Sequence, residues 1–137
     1  MRRAAALLSC LLAASPAVAQ KATPTPQPSV TPSTQESLPP YESQMLRLAQ
    51  IMGALSLLRD LCGDGDGAQY RAKFAALMDA EATTPARKSA WAGAFNQSYE
   101  DYRLTYANCT PNARAAIQSF LAEADDLATA LSDRYGR

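Results

Sequence analysis

The 137 residues carry 13 Lys and Arg against 13 Asp and Glu, with no histidine and a formal charge of zero. Lack of histidine removes the commonest ligand or base of zinc, haem and Ser-His-Asp chemistry. No run of basic residues provides the electrostatic footprint of a nucleic-acid binder.

The chain opens Met1-Arg2-Arg3, continues as an apolar stretch from Ala4 to Ala14, and reaches Ala17-Val18-Ala19 before Gln20. A basic start, a short apolar run and small residues before a cut are the parts of a secretory signal peptide, so residues 1–19 are expected to be removed after Ala19. Cys10 lies inside the apolar run rather than closing it, which argues against lipidation there. The stretch is also shorter than the roughly 20 apolar residues of a membrane-spanning helix and contains Pro16. The expected product is periplasmic, with no stable membrane insertion. Loss of Arg2 and Arg3 leaves 11 basic against 13 acidic groups, a formal charge of −2. Cys10 leaves as well, so Cys62 and Cys109 remain as a pair in an oxidising compartment, where a disulfide is the default expectation.

Residues 20–40 are rich in Pro, Thr, Ser and Gln and nearly free of large apolar groups. They are expected to form a disordered linker, because they cannot bury enough surface to fold. A solvated tail is favoured over a tether, since cleavage would free its start. The folded domain is expected over 41–137.

From Tyr41 to Cys62, Met45, Leu48, Ile51, Met52, Leu55 and Leu58 recur at helical spacing. Leu46, Leu57 and Leu61 add a second apolar strip, leaving Glu42, Ser56 and Asp60 on a narrow polar edge. A helix this apolar is normally covered on two sides. Gly63-Asp64-Gly65-Asp66-Gly67 ends it. A second helix follows with Tyr70, Phe74, Leu77 and Met78 on one face. Thr84-Pro85 and Thr110-Pro111 each combine an N-cap with proline at the first helical position. They open a third helix, with Trp91, Phe95, Tyr99, Tyr102, Tyr106 and Cys109 along one side, and a fourth that buries Ile117, Phe120, Leu121, Ala124, Leu127 and Leu131. The predicted fold is all-α, an antiparallel up-down four-helix bundle. That topology puts the ends of the first and third helices together, so one interhelical disulfide between Cys62 and Cys109 agrees with it.

The glycine-rich loop has the look of a calcium loop, yet either register puts Lys73 or Arg71 where the closing bidentate glutamate belongs. No metal site, cofactor-binding set or catalytic residue is expected. Glu100-Asp101 and Asp125-Asp126 are adjacent on helices, about 100° apart, and read as solvated faces. Arg59 and Glu81 fall within the apolar stripes of their own helices and are the candidate core polar or functional residues. Arg59 is expected near Tyr102 and Tyr106, and Glu81 near Arg47 or Arg87; buried charges of this kind more often set packing than carry chemistry. The aromatic ladder of the third helix has the spacing of a core face, with a sugar or apolar-ligand groove as the alternative.

The segments Leu57-Leu58-Arg59-Asp60-Leu61-Cys62, Phe95-Asn96-Gln97-Ser98-Tyr99 and Tyr106-Ala107-Asn108-Cys109-Thr110 resemble a family of small exported alphaproteobacterial proteins. Its members are about this long, with a signal sequence and two well-separated cysteines. The resemblance spans most of residues 41–135, implies the Cys62–Cys109 bridge with Arg59, Phe95, Tyr99 and Tyr106 near it, and implies no activity. The leading functional expectation is a non-enzymatic interaction or structural module of the cell envelope, with Leu46, Leu57 and Leu61 as the candidate surface. Its partner would be an envelope protein, the cell wall or a second copy. The alternatives are a carrier of a small apolar molecule, which requires a void lined by Trp91, Phe95 and Tyr102, and a hydrolase, which requires convergent carboxylates in an open cleft.

Overall fold

The computed structural model describes residues 37–136. The expected signal peptide and nearly all of the expected linker lie outside them. Four helices follow in order: α1 (Glu42–Leu61), α2 (Gly67–Glu81), α3 (Pro85–Thr105) and α4 (Pro111–Tyr135). Short connections at residues 62–66, 82–84 and 106–110 turn the chain back each time, giving the antiparallel up-down bundle.

Local sequence accounts for the boundaries. Gly63 and Gly65 take the positive φ values of 88° and 69° that let the chain leave α1 tightly. Thr84 Oγ1 accepts from the Arg87 N–H at 3.3 Å and Thr110 Oγ1 from the Ala113 N–H at 3.1 Å. Each cap precedes a proline whose missing N–H costs the first turn nothing. One boundary differs from expectation. α3 stops at Thr105, and Tyr106 is extended, because Cys109 must swing across to Cys62 before Thr110 opens α4. The bridge therefore ties the C-cap of α1 to the α3–α4 loop, with 4.8 Å between Cα atoms. It closes a loop of 47 residues, for which chain entropy gives about 4 kcal/mol.

Packing is not a square of equals. α1 touches all three other helices, most closely α3, whereas α3 and α4 make no backbone contact. The helix most apolar in sequence is thus the central one: Ala49, Ile51, Ala54, Leu55 and Leu58 have no exposed surface. α2 and α4 each contribute one line of side chains. Phe74 joins Met45, Ala49, Trp91 and Phe95 towards the N-terminal end of α1. Ala113 and Ile117 join Ile51, Leu55 and Leu58 towards the disulfide end.

Gly53 sets the α1–α3 distance, because a Cβ there would collide with the backbone carbonyl of Phe95. Gly93 on α3 has open space around it. The two positions should therefore respond oppositely to alanine in urea denaturation. Gly93→Ala is expected to stabilise by about 0.5–1 kcal/mol through helix propensity. Gly53→Ala is expected to destabilise by about 1–3 kcal/mol through overpacking, against the same propensity gain.

Candidate functional site

Of the polar edge of α1, Asp60 is exposed, but Glu42 and Ser56 are buried. Ser56 is 2% exposed and Glu42 6%, because α2 and the start of α3 lie over that edge. At the disulfide end, the Asp60 carboxylate accepts from the Gly67 N–H at 2.8 Å, supplying from α1 the anion that the first turn of α2 lacks in its own sequence. Ser56 satisfies itself by donating to the Gly53 carbonyl at 2.9 Å. The solvent strip of α1 runs instead along Ser43, Arg47 and Gln50.

At the opposite end a buried ionic cluster closes the bundle. Arg87 Nε donates to Glu42 Oε2 at 2.8 Å, and the Trp91 indole N–H donates to Glu42 Oε1 at 2.6 Å. Arg87 Nη1 reaches the Glu81 carbonyl at 2.8 Å, and its guanidinium carbon sits 4.9 Å from the Trp91 ring centroid. Tyr41 lies 5.9 Å beneath the same guanidinium and packs against Tyr135 of α4 at 5.0 Å. Within this cluster Nη2 of Arg87 is buried without a hydrogen-bond partner among the described residues.

Glu81 does not take the interior place expected of it: its side chain is exposed, and only its backbone carbonyl engages Arg87. The interior carboxylate is Glu42. Helical angle placed Glu81 on the stripe, but at the end of α2 it is Met78 and Ala82 that pack into the core, and the Glu81 side chain between them faces solvent. Arg87 had a readable signal, since it precedes Trp91 by four residues on the ladder face.

Arg59 is partly buried, and the ring under its guanidinium is Tyr70, at 5.5 Å, rather than the expected Tyr102 or Tyr106. It holds Asp66 in a fork, Nε to Oδ1 at 2.6 Å and Nη2 to Oδ2 at 2.7 Å, with Asp64 further off at 3.8 Å. This hydrogen-bonded pairing raises the Arg59 pKa and holds the Asp66 carboxyl below the ordinary carboxylate range. The acidic loop residue is thereby engaged in closing the α1–α2 turn beside the disulfide.

The ladder divides along its length. Trp91 is fully buried, and Phe95, 5% exposed, stacks on Phe74 at 5.0 Å. Tyr99, Tyr102 and Tyr106 are half-buried. Phe95 borders a groove of about 160 Å³ between α2 and α3, and Tyr102 a separate polar cleft of about 260 Å³ between α3 and α4. Phe95 and Tyr102, expected to share one void with Trp91, thus line different clefts. Among the candidate interaction leucines, Leu46 and Leu61 pack against the core and Leu57 is half-buried. The large apolar side chains that stand out among the described residues are Leu38 and Leu104, 62% and 76% exposed.

Removing one member of a buried pair leaves the other charge without compensation. Glu42→Ala should therefore cost about 3–5 kcal/mol in chemical denaturation. Glu81→Ala should stay within about 0.5 kcal/mol. Comparable losses for the two would contradict the assignment of Glu42 as the interior carboxylate.

No curated protein and no solved structure matches the chain. A family model described as "Protein of unknown function (DUF2385)" matches residues 40–135, which takes in all four helices and both cysteines of the bridge. The chain belongs to the DUF2385 family.

Proposed function

We propose that the protein is an exported, disulfide-locked helical module of the bacterial cell envelope that works by contact rather than by catalysis. The observation that carries this reading is where its interior ionic groups go. Glu42 with Arg87 and Arg59 with Asp66 each bridge separate parts of the chain, one at either end of the bundle. Charges used in this way hold helices in register and are not aimed at a substrate. Export and cleavage after Ala19 rest on the N-terminal pattern, and the Cys62–Cys109 bridge supports passage into an oxidising compartment. The resemblance to small exported alphaproteobacterial proteins supports a periplasmic location. A contact role fits a scaffold whose core is filled and whose two ends are pinned, by the bridge at one and by Tyr41 against Tyr135 at the other.

Fractionation of alphaproteobacterial cells expressing the full chain, with crosslinking before lysis, tests the proposal. The expected result is periplasmic protein starting at Gln20, with no titratable thiol, forming discrete adducts with an envelope protein or the cell wall. Retention in the cytoplasm with free thiols would contradict export. A periplasmic monomer that yields no adduct would contradict the contact role.

A further inference from the structure

Because the backbones of α3 and α4 stay apart, the two helices flank the solvent strip of α1 and leave a cleft lined by side chains of three helices. Its walls are Arg47 and Gln50 from α1, Gln97, Asp101 and Tyr102 from α3, and Phe120 from α4. The planar polar groups are held in place by one another. Arg47 donates to Glu123 through Nε at 2.6 Å and Nη2 at 2.7 Å, and its Nη1 donates to Gln50 Oε1 at 3.3 Å. Gln97 Nε2 donates to Asp101 Oδ1 at 2.9 Å. These bonds leave the Gln50 amide hydrogens, the Gln97 carbonyl and Asp101 Oδ2 with capacity for further hydrogen bonding. Tyr102 meets Phe120 edge-on at 5.4 Å, and burial keeps its phenol above the ordinary value, so it is a neutral donor.

That combination selects a ligand class. An anion is disfavoured, since Glu123 offsets Arg47 and Asp101 adds a negative charge. An apolar molecule would strand the amides and the carboxylate. The Arg47 guanidinium lies over the Phe120 ring at 5.8 Å and Tyr106 stacks on Tyr102 at 6.1 Å, so one half-buried tyrosine ring is left to the cleft. A sugar ring suits that arrangement: its hydroxyls donate and accept around the rim, and one C–H face packs on the Tyr102 ring. The volume of about 260 Å³ lies below the range of about 300–1,000 Å³ typical of enclosed small-molecule pockets. It fits one ring of a chain lying across an open cleft.

We propose that the α1/α3/α4 cleft binds one pyranose ring of a neutral glycan chain. This deepens the envelope-module reading and rests on it for the presence of such chains around the protein. Titration of the isotopically labelled, disulfide-bonded protein with chitotetraose and with cellotetraose, followed by amide chemical shifts, tests the site. The expected result is saturable shifts confined to the cleft with at least one of the two. Asp101→Asn and Gln97→Ala, both at exposed positions, should each weaken that binding about tenfold while leaving the thermal midpoint unchanged. No saturable shift with either glycan, or binding that both variants leave intact, would overturn the assignment. If the glycans fail while envelope-protein adducts still form in cells, the cleft assignment falls and the module reading stands. Glycan binding by a protein retained in the cytoplasm would do the reverse.

Discussion

Gly53 brings the backbone of α1 against that of α3 at the Phe95 carbonyl, and the remaining architecture is arranged around this approach. Two helices that close share little room for side chains, so Ala49 and Ala54 flank the contact while Ile51, Leu55 and Leu58 turn to the other neighbours. With α3 so near, α1 is the one among the four described helices that contacts all the others. α2 and α4 then need just one apolar line each. Most of the larger apolar side chains of α4, among them Phe120, Leu121 and Leu127, are half-buried against the core rather than enclosed in it.

The same centrality explains why polar groups of α1 are structural. A helix covered on three sides must place its few polar side chains where a neighbour can satisfy them. Asp60 meets the first turn of α2, Ser56 bonds its own helix, and Glu42 binds both Arg87 and Trp91. Apart from Asp60 at its end, the exposed part of α1 is the strip through Ser43, Arg47 and Gln50. That strip floors the cleft between α3 and α4, so the placement of α1 at the centre also creates a surface where amide, carboxylate, guanidinium and aromatic groups gather.

Much of the fold is legible before any coordinates. Apolar periodicity, the paired Thr-Pro caps and the glycine-rich turn locate four helices, and the agreement between topology and cysteine position anticipates the Cys62–Cys109 bridge. What periodicity cannot supply is the neighbour of a given face. Glu42 and Ser56 read as an outer edge because a polar residue marks solvent only when no other helix covers it. Glu81 read as interior because helical angle alone does not show that Met78 and Ala82, rather than Glu81, fill the core at the end of α2. Arg59 was assigned to the tyrosines of α3, whereas the turn folds Asp66 and Tyr70 back onto it. The cleft was not legible at all: it exists because α3 and α4 stay apart, a property of packing distance rather than of any segment.

Native-state hydrogen exchange tests the central position of α1 most directly. Amides of α1 from Ile51 to Leu58 are predicted to exchange only through global unfolding. Those of α4 beyond Leu127, with mostly exposed side chains, should exchange earlier through local opening. Exchange of the α1 segment together with the end of α4, or ahead of it, would contradict an architecture built around α1.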